Sequence, residues 1–207
     1  MTMQTDSTPS SSPDHQPKPC CAAVRDGKRY SIPAIAFHWI MAIAVGTVIG
    51  LALYMDGLEN GTHKYQVYAL HKSFGLLVLA LVIPRIIWRF ATPHPGKMPT
   101  HKRWERTLSS IVAWALYALM FAMPLSGLIM NGAAGYQVKF FDLFTIDPLV
   151  AKNADLAKSL KEAHEIMGDA IQILILLHVG GALKHLFIDR DNTLYRMAPL
   201  KWLRLKD

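Results

Sequence analysis

The chain has 207 residues, of which 52% are apolar and 18% charged, and its formal net charge is +7. A positive mean hydropathy and a charge content below the roughly 25% of ordinary soluble proteins argue against a soluble domain. The basic residues flank apolar runs and gather on no single face or block, which argues against a nucleic-acid partner.

Length suggests one domain. Residues 1–27 read as a disordered cytoplasmic tail, because their Ser, Pro, Asp, Gln and Thr content cannot bury enough apolar surface to order the chain. No apolar core follows within this segment, so it does not read as a signal peptide. Cys20 and Cys21 are adjacent and form neither a disulfide framework nor a CxxC pattern. In a cytosolic tail they read as two plain thiols.

Four apolar runs within residues 28–200 are each long enough to cross a hydrocarbon core of roughly 30 Å. They are expected at about 32–55, 65–88, 108–130 and 160–188. Pro33 suits a first helical turn, Pro84 should kink the end of the second run, and Pro124 lies inside the third. There is no internal repeat. Together the runs define an all-α, integral membrane four-helix bundle, followed by a basic cytoplasmic tail at 201–207.

Lys and Arg set the orientation. They crowd before the first run (Arg25, Lys28, Arg29), between the second and third (Lys97, Lys102, Arg103, Arg106) and after the fourth (Arg190, Arg196, Lys201, Arg204, Lys206). By the positive-inside rule both termini are cytoplasmic, and Trp39, Trp88 and Trp104 fall near the inner interface. The link between the third and fourth runs also holds Lys139, Lys152, Lys158 and Lys161, partly offset by Asp142, Asp147 and Asp155.

Eight of the nine histidines divide into two groups, with His185 near the inner end of the fourth run as the ninth. His15, His63, His94 and His101 lie in polar segments and read as solvated. His38, His71, His164 and His178 lie within the spanning runs, where an unpaired polar group is costly. His164 and His178 are fourteen residues apart, which is about 21 Å of helix and a return to within about 40° of the same face. Depth matching pairs His38 with His178 near the inner surface and His71 with His164 near the outer one. His185 is a rival for His178, since it lies seven residues further along the same stripe.

Two histidines per level, with no thiolate or carboxylate beside them, do not suit structural zinc. They suit the axial positions of a haem held in an apolar slot, and a bundle core accommodates such a cofactor. Two b-type haems are therefore expected, with His38, His71, His164 and His178 as iron ligands. Gly75 and Gly168 each follow a histidine by four residues and fall on the ligand face, where they would admit a porphyrin or serve ordinary close packing. Arg85 is placed as an inner propionate partner, with Arg89, Lys72 and Lys161 as further cations that could equally snorkel to lipid phosphate. Saturated irons leave electron transfer as the expected role. A proton relay through the same histidines is the non-redox alternative.

The segments FHWIMA (37–42), YALHKSFGLLVL (68–79), MPLSGLIM (123–130), EAHEIMG (162–168) and LLHVGGALKHLFIDRDNTLYRMAP (176–199) resemble bacterial cytochrome b561. The resemblance covers about residues 28–200. It implies a di-haem cytochrome of the bacterial inner membrane, with the same four histidines as ligands. Some family members pass electrons from superoxide to ubiquinone. It therefore implies a periplasmic one-electron donor such as superoxide, a quinone acceptor and a lipid environment. Membrane subunits that anchor hydrogenases and similar dehydrogenases share the fold, so the alternative is an electron-transfer subunit docked to a redox partner protein. The interleaved lysines before the fourth run could draw superoxide toward the outer haem or simply be solvated.

Overall fold

The computed structural model describes residues 29–93, 95–96 and 101–199. The expected tails at 1–27 and 201–207, with Cys20, Cys21, His15 and His94, lie outside the described residues. The elements in chain order are α1 (Ile32–Asp56), α2 (Thr62–Ala91), α3 (Arg103–Ala133), β1 (Val138–Phe140), β2 (Phe144–Ile146), α4 (Ala154–Phe187) and α5 (Thr193–Met197). The molecule is mostly helical, and α1 to α4 are long and apolar enough to cross a membrane.

Helix is the natural solution for such runs, because a spanning segment must satisfy its own backbone hydrogen bonds. The helices overrun the apolar stretches where polar residues cap them. Asn153 accepts from the Leu156 N–H at 3.0 Å and starts α4 six residues before its apolar part. Glu105 reaches back to the Lys102 N–H at 2.9 Å and starts α3 early in the same way. At 1.5 Å per residue the four helices are about 37 to 51 Å long, so their polar turns would project beyond a hydrocarbon core of about 30 Å. Pro33 sits in the first turn of α1, while Pro84 and Pro124 are accommodated inside α2 and α3.

α1 packs along α2, α2 against α3, and α3 along α4. Small clusters of buried side chains hold these seams: Met41, Val82 and Tyr117; Ala44, Val45 and Val78; Val112, Leu116 and Ile171. α4 packs along neither α1 nor α2 in this way, so an apolar cleft runs between them.

The link between α3 and α4 contains an antiparallel hairpin that the sequence reading did not include, pairing Val138 with Ile146 and Phe140 with Phe144. Phe141 and Asp142 carry positive φ at its turn. Ser73 of α2 holds the hairpin down, its hydroxyl donating to Lys139 O at 3.1 Å and accepting from Phe141 N–H at 3.0 Å.

The first and last described segments meet at the opposite end of the bundle. Trp39 Nε1 donates to Met197 O at 2.7 Å, Arg196 Nη1 to Gly96 O at 2.8 Å, and the Tyr30 N–H to Arg196 O at 3.2 Å. Arg29 also donates to Ala198 O. The short α5 thereby ties the lead into α1 to the link between α2 and α3.

Candidate functional site

The four intramembrane histidines come together as two couples across the cleft. The His71 and His164 ring centroids are 6.3 Å apart, and those of His38 and His178 are 6.1 Å apart. His185 does not approach His38; its ring stacks on His101, with centroids 4.0 Å apart.

These separations test the fit of an axially ligated metal. With each ring nitrogen about 2 Å from a shared metal, as in imidazole–metal bonds, and each centroid about 1.1 Å further back, the centroids lie roughly 6.2 Å apart. Both couples have that spacing.

Hydrogen bonding prepares the first couple further. His71 Nδ1 lies 3.2 Å from Val48 O, and His164 Nδ1 lies 3.1 Å from Met123 O and 3.0 Å from Ser126 Oγ. A backbone carbonyl can only accept, so each Nδ1 carries the proton and each Nε2 keeps its lone pair. Sequence reasoning missed Gly127, although MPLSGLIM contains it. A Cβ there would stand 3.1 Å from His164 Cε1, so glycine lets α3 approach the ring.

A cleft open on one side lies beside this couple, spanning about 600 Å³ when the open solvent within it is included. Its walls are apolar, with Val45, Val48, Val78, Leu119 and Met120 among them. Gly75 and Gly168 also line it, as expected from their position after the histidines. A Cβ at Gly75 would meet nothing within 4 Å, whereas one at Gly168 would meet the Met123 methyl at 3.3 Å. Gly75 therefore opens the cleft, and Gly168 also serves packing against α3.

The second couple has a different neighbour. Arg85 Nη2 stands 3.1 Å from His38 Nδ1, and Arg85 Nε donates to Tyr117 Oη at 3.0 Å. A guanidinium can only donate, so for His38 to ligate a metal through Nε2 its Nδ1 would carry the proton and Nη2 would turn to another acceptor. The buried Nη1 of Arg85 meets no acceptor. A guanidinium short of one acceptor beside this couple fits a carboxylate-bearing ligand such as a haem propionate. Arg89 instead stacks over Trp114 and Tyr117, at 5.2 and 5.5 Å from the ring centroids. Lys161 is exposed and paired with Glu165 at 2.6 Å, and Lys139 lies 3.5 Å from Asp142.

The expectation for His101 fails. It is a half-buried side chain packed on His185, with Nε2 at 2.9 Å from Asp191 Oδ2, and it is not a solvated histidine. The long separation between residues 101 and 191 hid this contact from sequence reasoning. His63 behaves as expected, sitting exposed beside Tyr54 Oη at 3.1 Å.

An apolar four-helix bundle with paired imidazoles across an interior cleft belongs to the class of membrane cytochromes. A model of prokaryotic cytochrome b561 matches residues 29–199, and the chain belongs to that family. Over 173 residues it is 34% identical to cytochrome b561 homolog 2 of Escherichia coli (strain K12), covering 82% of this chain and 91% of that protein. Cytochrome b561 homolog 1 of the same organism is 28% identical over 172 residues, 83% of this chain and 97% of the relative. A Yersinia pestis protein described as a probable superoxide oxidase, CybB, is 29% identical over 174 residues, 84% and 98% of the two chains. The family makes this chain a bacterial membrane protein that binds haem b and takes part in electron transport.

Proposed function

We propose that the chain is a di-haem cytochrome b of the inner membrane that passes electrons from a periplasmic one-electron donor, superoxide being the leading candidate, to ubiquinone. The observation that carries this reading is the spacing of the two histidine couples, 6.1 and 6.3 Å between ring centroids. In this reading His71 and His164 hold the outer haem, His38 and His178 hold the inner one, and both termini are cytoplasmic.

Bound between each couple, a haem supplies a one-electron iron couple. The protein's residues define what that couple is used for. His71 with His164, and His38 with His178, would hold the two haems, and with two imidazoles given to each iron the chemistry supplied would be outer-sphere electron transfer. Val48 O, Met123 O and Ser126 Oγ fix the outer rings, while Arg85 brings a cation to the inner one. His164 and His178 are separated by fourteen residues of one continuous helix, about 21 Å along its axis, so the two levels lie toward opposite ends of the bundle. The overall reaction balances as two superoxide anions, one quinone and two protons giving two dioxygen molecules and one quinol. Two haems match the two electrons that the quinone requires.

The relative described as a probable superoxide oxidase supports superoxide as donor. The test is to purify the chain alone, count haems chemically, and follow quinol formation while superoxide is generated. Two haems per chain and superoxide-dependent quinol formation are expected. A haem count below two would overturn the di-haem reading. Quinol formation only after adding a soluble dehydrogenase would move the chain to the alternative role of a complex subunit.

A further inference from the structure

The electron-transfer reading leaves unused the segment IDRDNTLYRM, which follows α4, and His185, which precedes it. The structure brings this segment against the start of α3. His101 from the link between α2 and α3, His185 from the last turn of α4 and Asp191 from the loop before α5 present ligand atoms that all lie within 4.8 Å of one another.

The geometry points to a second metal site, separate from the histidine couples: a surface-proximal site for a divalent transition-metal cation of the zinc type, ligated by His101, His185 and Asp191. Asp191 Oδ2 stands 2.9 Å from His101 Nε2 and 3.2 Å from His185 Nδ1. Those spacings approach the roughly 3.3 Å between neighbouring ligand atoms in a tetrahedral zinc shell with bonds of about 2.0–2.1 Å. His185 Nδ1 is fully buried and makes no aligned hydrogen bond, although Asp189 Oδ2 also stands 2.7 Å from it. This nitrogen thus faces two carboxylate oxygens, an arrangement that a cation between them, a proton or a metal ion, resolves.

The three side chains are sheltered yet reachable, at 13%, 12% and 7% exposure. Burial alone would raise the pKa of Asp191, but hydrogen bonds from the Thr193 hydroxyl, the Thr193 backbone N–H and His101 hold it below the usual value. It is therefore an anion at neutral pH. The candidate ligands are two imidazoles and one carboxylate, a set with an open fourth position that suits zinc, nickel or copper rather than magnesium or calcium. Lys184 does not fill the charge requirement there. Its ammonium is already held by Glu105 Oε1 at 2.5 Å and Asp189 Oδ2 at 2.8 Å.

Such an ion would join the end of α4 and the loop that follows it to the sequence-remote link between α2 and α3, at the end of the bundle where α5 also meets the lead into α1. This assignment does not depend on the haem reading, and its readout differs.

The experiment uses the full-length, untagged, haem-loaded protein in detergent, titrated calorimetrically with zinc, followed by zinc-edge X-ray absorption. One zinc per chain is expected, with two imidazoles in its shell. His101→Gln, His185→Gln and Asp191→Asn should each weaken binding by on the order of tenfold to a hundredfold, while the haem spectrum stays unchanged and reports that the bundle is folded. Zinc binding undiminished in all three variants, or a zinc shell without two imidazoles, would overturn the site. So would the absence of zinc binding by the wild-type protein, which would leave the cluster as a hydrogen-bonded clasp.

Discussion

Replacing Gly127 by alanine tests how closely α3 must approach the outer couple. The added Cβ would lie 3.1 Å from His164 Cε1 and 3.4 Å from Nδ1. Carbon atoms in good contact are about 3.5–4.0 Å apart, so the ring or the helix must give by a few tenths of an ångström. Both options are constrained. His164 Nδ1 is held by Met123 O at 3.1 Å and Ser126 Oγ at 3.0 Å, and both partners are on α3, like Gly127 itself. The ring cannot move off α3 without stretching these bonds.

Overpacking of this size costs about 1–3 kcal/mol, and a weakened hydrogen bond adds up to about 1 kcal/mol. At 1.4 kcal/mol per tenfold, the cost corresponds to about one to three powers of ten in outer-haem affinity or in ligand competence. The assay is haem content together with low-temperature electron paramagnetic resonance, which resolves two low-spin haems. Gly127→Ala should shift or deplete the outer signal and leave the inner one unchanged. Two haems with wild-type signals in Gly127→Ala, and again in Gly127→Val, would refute the claimed role of this contact.

Two further outcomes follow from the same geometry. His71→Ala and His164→Ala should each remove one haem and the same one, His38→Ala and His178→Ala the other, and His185→Ala neither; haem counts with resolved spectra check this. Arg196→Met should lower the thermal midpoint of the purified protein, because it removes the guanidinium of a buried residue that donates to Gly96 O at 2.8 Å; charged hydrogen bonds of this kind contribute about 1.5–3 kcal/mol each.

The sequence made the spanning helices and the histidine stripe readable for a physical reason. Hydrocarbon imposes a length and an apolarity that a linear pattern displays directly. Positions at fixed helical spacing, such as His164 and His178, also carry their own geometry. Contacts that depend on the packing of distant segments left no such trace. Gly127 is one glycine among many until α4 is seen beside it. His101 looks like a polar-link histidine until the loop holding Asp191 folds back across it. The hairpin at 138–146 was hidden because its strands are only three residues each and its turn uses Phe141 and Asp142 at positive φ. The usual Asn-Gly or Asp-Gly signal is missing there.

The two couples are chemically unequal, and the inequality predicts the direction of electron flow. On the outer level, the Nδ1–H groups of both histidines donate to neutral acceptors, Val48 O for His71 and Met123 O for His164. Such bonds raise the basicity of a ligating imidazole and favour the oxidised iron. On the inner level, the neighbour of His38 is instead the Arg85 guanidinium, a cation that cannot accept a hydrogen bond from the ring. A fixed positive charge so close, in a low-dielectric interior, favours addition of an electron. The inner haem should therefore have the higher reduction potential, making transfer from the outer level to the inner one downhill. Redox titration of the single-haem variants assigns the values: His71→Ala should retain only the higher-potential haem, and His38→Ala only the lower. Arg85→Gln should narrow the gap by lowering the inner value while leaving the outer one in place. If His71→Ala instead retained the lower-potential haem, the asymmetry of these hydrogen-bond partners would not be what orders the two centres.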